Sequence, residues 1–235
     1  MAASSDHPSE SATSQGITRS LARYVVATRF DELPAAVRRE AQRSLLNWMG
    51  VAVGGSRHET IEIALAAIKP FVGAPQATLF GRAEQLDVMH AALINGISSH
   101  VFDFDDTDLT SAVHPSAPVL PVLLALEQRG MSGRDFVTAM VLGFEAECRI
   151  TRAVQPKFGA VGWHPTGAAG VLGAAIAAAK VLGLDEARLS APFARVTRSC
   201  CLRCSIQFSA MKVSMCRVGS AVSVKCSQNS APSRR

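Results

Sequence analysis

Four carboxylates (Asp103, Asp105, Asp106 and Asp108), the hydroxyl of Thr107 and the imidazole of His114 fall within twelve positions of the 235-residue chain. Carboxylates this dense repel one another. A chain holds them as a solvated loop that also caps a helix, as a metal site, or as a pocket where a carboxylate faces a cationic partner. The stretch closes on His114-Pro115-Ser116, and a second junction, His164-Pro165-Thr166, follows fifty residues on. Each histidine precedes a proline, which biases its backbone away from helix, and each junction opens a strongly apolar run. The pattern presents an imidazole twice at a helix entrance, where backbone N–H groups favour an anion. An imidazole moves protons to or from carbon near neutral pH, so these residues suit proton transfer on a small anionic substrate.

The elements that must position them are helices. Helical periodicity holds from Gly16 to Ser190, beginning with a short amphipathic helix over Ile17–Thr28. Asp31-Glu32-Leu33-Pro34 signals the start of a longer one over Ala35–Val53, which Gly54-Gly55 ends. A third helix covers Glu59–Phe71. Gly73–Arg82 is turn-rich, with room for one short extended piece. Asp87–His100 delivers the chain directly into the acidic stretch, and Pro118–Gln128 leaves it as a buried helix. Ser132 and Asp135 cap a helix over Phe136–Val154, Pro156–Gly162 forms a loop, and Pro165–Leu182 is the most apolar helix. Asp185–Leu189 starts another. Gly167, Gly170 and Gly173 recur every three residues in the apolar helix and let another helix approach closely. With no strand before them, they read as packing devices and not as a phosphate loop. The fold class is all-α.

Composition narrows the rest. Apolar residues make up 48% of the chain, ample for a core, and the longest unbroken small and apolar run (167–179) stops at Lys180. A membrane span is therefore not expected. Residues 1–16 read as a disordered tail without a secretory or transit signal. Residues 1–190 carry 16 Lys+Arg and 19 Asp+Glu, a net −3, whereas residues 191–235 carry 8 basic residues and no acid, a net +8. Five of the six cysteines and nine serines lie in that last segment. Cys201-x-x-Cys204 supplies half of a zinc pattern and Cys216 and Cys226 do not complete it. The basic residues stand singly, so no nucleic-acid partner is expected. Residues 191–235 read as an irregular, non-native segment from a frameshift or exon error, the alternative being a genuine basic tail. Cys148 reads as a buried thiol.

At Gly96–Thr107 the chain resembles the MmgE/PrpD family. The supporting stretches are Leu45–Gly55, Ala91–Gly96, Asp103–Thr107, His114–Pro121, Gly143-Phe144-Glu145 and Gly162–Gly167, in the family's order over about residues 17–190. The resemblance implies a large all-α domain paired with a smaller α/β lid, with the active site between them. It implies a lyase acting on a small di- or tricarboxylate, by decarboxylation of a cis-aconitate-like or dehydration of a methylcitrate-like substrate. The Asp-Phe-Asp-Asp-Thr and His-Pro-Ser pairing looks closer to the decarboxylating branch. No cofactor or metal is implied, and a homodimer is expected, in the cytoplasm, with a mitochondrial location left open. By motif, His114, His164 and Asp103 are the catalytic candidates and Thr107 the substrate-binding one. Either histidine relays the proton, and Asp103 orients a histidine or a lysine.

Three departures stand out. Asn47 occupies a position where the family usually has Asp, a matter of packing. The spacing from Thr107 to His114 is one residue longer than the decarboxylase pattern. The family's Lys-x-x-His-x-Gly stretch and its lid would follow residue 190 and are not present, so 17–190 is read as a helical domain lacking its lid, with impaired activity. Two rivals remain. One is a non-catalytic fragment acting through helix-mediated association. The other is an Mg²⁺-dependent all-α enzyme, for which Leu109 stands where Asp-Asp-x-x-Asp needs its last carboxylate.

Overall fold

Trp48, Val119, Leu120, Leu123, Met140 and Ala177 are completely buried and meet where four helices cross. The computed structural model describes residues 10–160 and 162–190, and within them the architecture is all-α. The helices are α1 (Glu10–Ala27), α2 (Ala35–Gly55), α3 (Glu59–Ile68), α4 (Val88–His100), α5 (Ser116–Ala125), α6 (Gly133–Ala160) and α7 (Pro165–Val181), and residues 186–190 begin an eighth. Among the described residues, the sheet structure is one antiparallel pair, β1 (Ala77–Thr78) with β2 (Gln85–Leu86), in the register Ala77↔Leu86. No helix of the described residues is long and apolar enough to cross a membrane. Of the tail read as disordered over residues 1–16, residues 10–16 are helical and residues 1–9 lie outside the described residues, as does the segment 191–235.

The central helices approach closely because glycines face one another. A Cβ added to Gly143 of α6 would lie 2.9 Å from the Gly173 carbonyl oxygen of α7, and one added to Gly173 would lie 2.8 Å from that of Gly143. Gly170 meets Pro118 of α5 in the same manner, at 2.6 Å from its Cγ. Where α2 crosses α4, a Cβ on Gly55 would fall on the Ser98 carbonyl, and the Ser98 hydroxyl donates to the Ala52 carbonyl at 2.6 Å. The glycine stripe of α7 is thus a packing device, as its spacing suggested.

Side chains close the ends of the elements. Asp87 caps α4 by accepting from the backbone N–H groups of Met89 and His90, and it also accepts from Gly73 at 2.8 Å. That last bond, chiefly, holds the Asp87 carboxyl down at about 2. Lys180 of α7 donates to the carbonyls of Val25, Val26 and Thr28 at 2.9, 3.0 and 2.7 Å, satisfying the end of α1. Asn95 of α4 docks the small sheet, accepting from the Phe80 N–H and donating to the Thr78 carbonyl.

Several boundaries differ from the sequence expectation, and the buried helix read over 118–128 is instead α5 (Ser116–Ala125). Helix α1 begins at Glu10, ahead of Ile17. The third helix gives way at Ile68 to a 3-10 turn over Lys69–Phe71, where Pro70 ends the α-helical bonding. The extended piece at 77–78 has a partner strand. The loop expected over 156–162 is helical as far as Ala160, because Pro156 removes one backbone bond of α6 without ending the helix.

Glu147 of α6 is fully buried against the glycine stripe, and neither carboxyl oxygen has a hydrogen-bond partner among the described residues. Burial, and then the charge of Asp106, push its pKa well above the ordinary carboxylate range. A carboxyl that holds its proton more tightly when folded contributes its full stability below the unfolded pKa of about 4.3 and loses it as pH rises.

Three outcomes are expected from this packing. Gly173→Ala is expected to cost about 1–3 kcal/mol through overpacking. Gly50→Ala, in open space on α2, is expected to gain about 0.5–1 kcal/mol, both read by urea unfolding. Glu147→Gln, which cannot ionise, is expected to gain on the wild type between about pH 5 and pH 8. A pH-independent difference in their thermal midpoints would contradict a neutral buried Glu147.

Candidate active site

Asp105, with no exposed side-chain area, lies between two imidazoles. His100 at the end of α4 donates from Nδ1 to its two oxygens at 2.9 and 3.1 Å. The Nδ1 of His114 lies 3.5 Å from the same Oδ1 and 3.3 Å from Thr107 Oγ1. The two rings meet edge to face with centroids 4.9 Å apart. On the far side of the rings, Oδ1 of the largely exposed Asp103 sits 3.7 Å from His114 Nε2 and 4.0 Å from His100 Nε2. The result is a layered site with a buried carboxylate below, two imidazoles in the middle and an exposed carboxylate at the mouth.

The local chain folds this way for identifiable reasons. After α4 the backbone reverses with Asp103 at φ +58°, a left-handed conformation that Asp tolerates better than most residues. That reversal turns the Asp103 carboxylate back toward His100. Asp108 then builds a tight turn: its carboxylate accepts from the Thr110 N–H and the Ser111 hydroxyl, and its N–H donates to the Val113 carbonyl at 2.9 Å. The turn brings Thr107 and His114 face to face. Asp106 accepts from the Ser116 N–H at 3.1 Å and so satisfies the first turn of α5. The His114 N–H donates to Thr166 Oγ1 at 3.0 Å, which fixes the ring's backbone against the first turn of α7. Asn47 donates to the Phe104 carbonyl at 3.3 Å, a bond that an ionised Asp cannot make.

Charge follows geometry. Burial pushes Asp105 up, but its hydrogen bonds and charge contacts with His100 and His114 outweigh burial and hold it below the ordinary range. Burial pulls His114 down, and the bond to and charge of Asp105, with the charges of Asp103 and Asp106, more than reverse this and raise it. Asp106 is raised, chiefly by burial. Burial also pushes the Cys148 thiol up to about 12, although the side chain expected to be buried is only half-buried.

Of the residues expected from sequence, the structure brings Asp103, Thr107 and His114 together. His164 stands at the entrance of α7 as its N-cap, in extended backbone, and its Nδ1 accepts from the Gly167 N–H at 3.2 Å. The side chain that joins α7 to the cluster is Thr166. Asp106 and Asp108 are helix-capping and turn-forming residues. Arg149 pairs with Glu145 along α6. His100 and Asp105 are the cluster members that sequence reasoning did not pair. Their five-residue separation across a helix end was the available signal.

The helix ends of an all-α domain converge here on a buried carboxylate shared by two histidines. The chain belongs to the MmgE/PrpD family, with residues 19–224 matching the MmgE/PrpD N-terminal domain. The match extends past residue 190, where helical periodicity fades from the sequence. The chain is 32% identical over 178 residues to the cis-aconitate decarboxylase of Mus musculus, covering 73% of this chain and 36% of that protein. It is 32% identical over 185 residues to that of Homo sapiens, covering 74% and 37%. To that of Aspergillus terreus it is 25% identical over 212 residues, covering 86% and 43%. The chain thus spans about two-fifths of the length of the curated relatives it matches.

Asp105→Asn tests the electrostatic order of the site. Without the full charge below it, the His114 imidazole is expected to titrate at lower pH than in the wild type, followed by its ring resonances. An unchanged midpoint would assign the upward shift to Asp103 and Asp106 instead.

Proposed function

We propose that this domain serves a lyase reaction on a small di- or tricarboxylate, with decarboxylation of a cis-aconitate-like substrate favoured over dehydration of a methylcitrate-like one. The observation that carries this reading is the fixed His114 ring. Asp105 Oδ1 and Thr107 Oγ1 both lie beside Nδ1, so the Nδ1 proton is committed inward and Nε2 faces the mouth of the site. A ring oriented by a buried carboxylate in this manner is suited to general acid–base work. In decarboxylation the bond to the departing carboxylate breaks, its electron pair stays on carbon, and CO₂ leaves. That carbon then takes the proton from His114 Nε2, and the raised pKa of His114 keeps the donating form available. In dehydration the same nitrogen takes the proton from carbon as hydroxide departs from its neighbour. Thr107 offers its hydroxyl to a substrate carboxylate.

The first readout is binding of cis-aconitate to the 235-residue chain by titration calorimetry, because the chain spans only part of its relatives. CO₂ release is the second. Saturable binding is expected, weakened at least tenfold in Thr107→Val. Where turnover is measured, His114→Ala lowers it by about 10²–10⁴. No binding and no CO₂ release would favour the alternative, a domain that acts by helix-mediated association. Near-normal turnover in a folded His114→Ala protein would remove this histidine from the chemistry.

A further inference from the structure

We propose that His100 Nε2, His114 Nε2 and Asp103 Oδ1 form a binding site for one divalent transition-metal ion of the zinc class, with Asp105 as the buried carboxylate that orients both imidazoles. Each ring is polarised in the same sense: Asp105 lies beside both Nδ1 atoms, at 2.9 Å from His100 and 3.5 Å from His114. Both Nε2 atoms therefore carry the outward-facing positions. They converge on one oxygen, Asp103 Oδ1, at 4.0 and 3.7 Å. Two imidazole nitrogens and a carboxylate oxygen bound at about 2.0–2.1 Å in tetrahedral geometry lie about 3.3 Å apart, so a small rotation of the exposed Asp103 side chain closes the set. The donor atoms of His100, Asp103, Asp105 and His114 all lie within 4.8 Å of one another.

Three features distinguish this from a chance gathering of acids. The donors are mixed, two imidazoles to one carboxylate, which suits zinc, cobalt or nickel better than calcium or magnesium. The carboxylate–histidine pairing behind each ring is the arrangement that fixes tautomer and orientation in metal sites. Asp103 is 66% exposed in its side chain, leaving the fourth position on the solvent side for water or a ligand carboxylate. The site coincides with the proposed proton-transfer site, but it does not depend on that chemistry. A metal on His114 Nε2 would occupy the lone pair that carries the proton, so zinc acts there as an inhibitor of the reaction.

The test measures metal and not turnover, so it succeeds or fails independently of the lyase reading. In the 235-residue chain with Cys200, Cys201, Cys204, Cys216 and Cys226 replaced by Ser, Zn²⁺ is titrated against a chromophoric chelator and Co²⁺ is followed by its visible absorption. One equivalent is expected to bind. His100→Ala and His114→Ala are expected to lower the affinity at least 100-fold, and Asp105→Asn about 10–100-fold, while His90→Ala leaves it unchanged. Asp103→Asn keeps the fold, since Asn also tolerates a positive φ, and is expected to weaken binding at least tenfold. Failure to bind one equivalent, or equal affinity in wild type and Asp103→Asn, would overturn the proposal.

Discussion

The carboxylate of Asp105 is the constraint on which the site depends. A carboxylate taken out of water must be compensated by partners, or it neutralises. Here the compensation comes from two imidazoles reached from opposite directions, one at the end of α4 and one just ahead of α5. Satisfying Asp105 therefore fixes where two helices meet, and in doing so fixes which nitrogen of each ring faces outward. Electrostatics and helix placement are one requirement in this protein.

That arrangement stands on a core in which side-chain volume has been removed at the crossings. Gly143 against Gly173, Gly170 against Pro118 and Gly55 against Ser98 bring α2, α4, α5, α6 and α7 together at backbone distance. The close approach of α7 to α5 is what places the Thr166 hydroxyl within reach of the His114 N–H. Small residues at the helix crossings thus set the position of the His114 ring. Glu147 lies in the same seam, a polar side chain retained at a cost in stability above acidic pH.

Much of this was legible in the chain. Apolar periodicity located α2, α4, α6 and α7, and the His-Pro junctions correctly marked helix entrances at His114 and His164. Asp103, Thr107 and His114 were recognisable as a group because the acidic stretch is short. The pairing of His100 with Asp105 was not legible, because it depends on the backbone reversal at Asp103. A positive φ at a residue other than glycine leaves no mark in periodicity. The strand at 85–86 was missed because two residues are too few for alternation to register. The continuation of α6 past Pro156 was missed because a proline suggests an end more strongly than the pattern after it suggests continuation. The role of Thr166 was hidden for a different reason: its contact lies fifty-two residues away, and only the packed core brings it near.

Helix α7 is held at three points along its length. Thr166 grips the His114 backbone at one end and Lys180 grips the last carbonyls of α1 at the other. Gly173, pressed against Gly143, lies midway, seven residues from each, or about 10 Å along the axis on either side. One rigid helix thus carries on a single axis the anchor of α1, a close helix crossing and the backbone contact of the His114 ring.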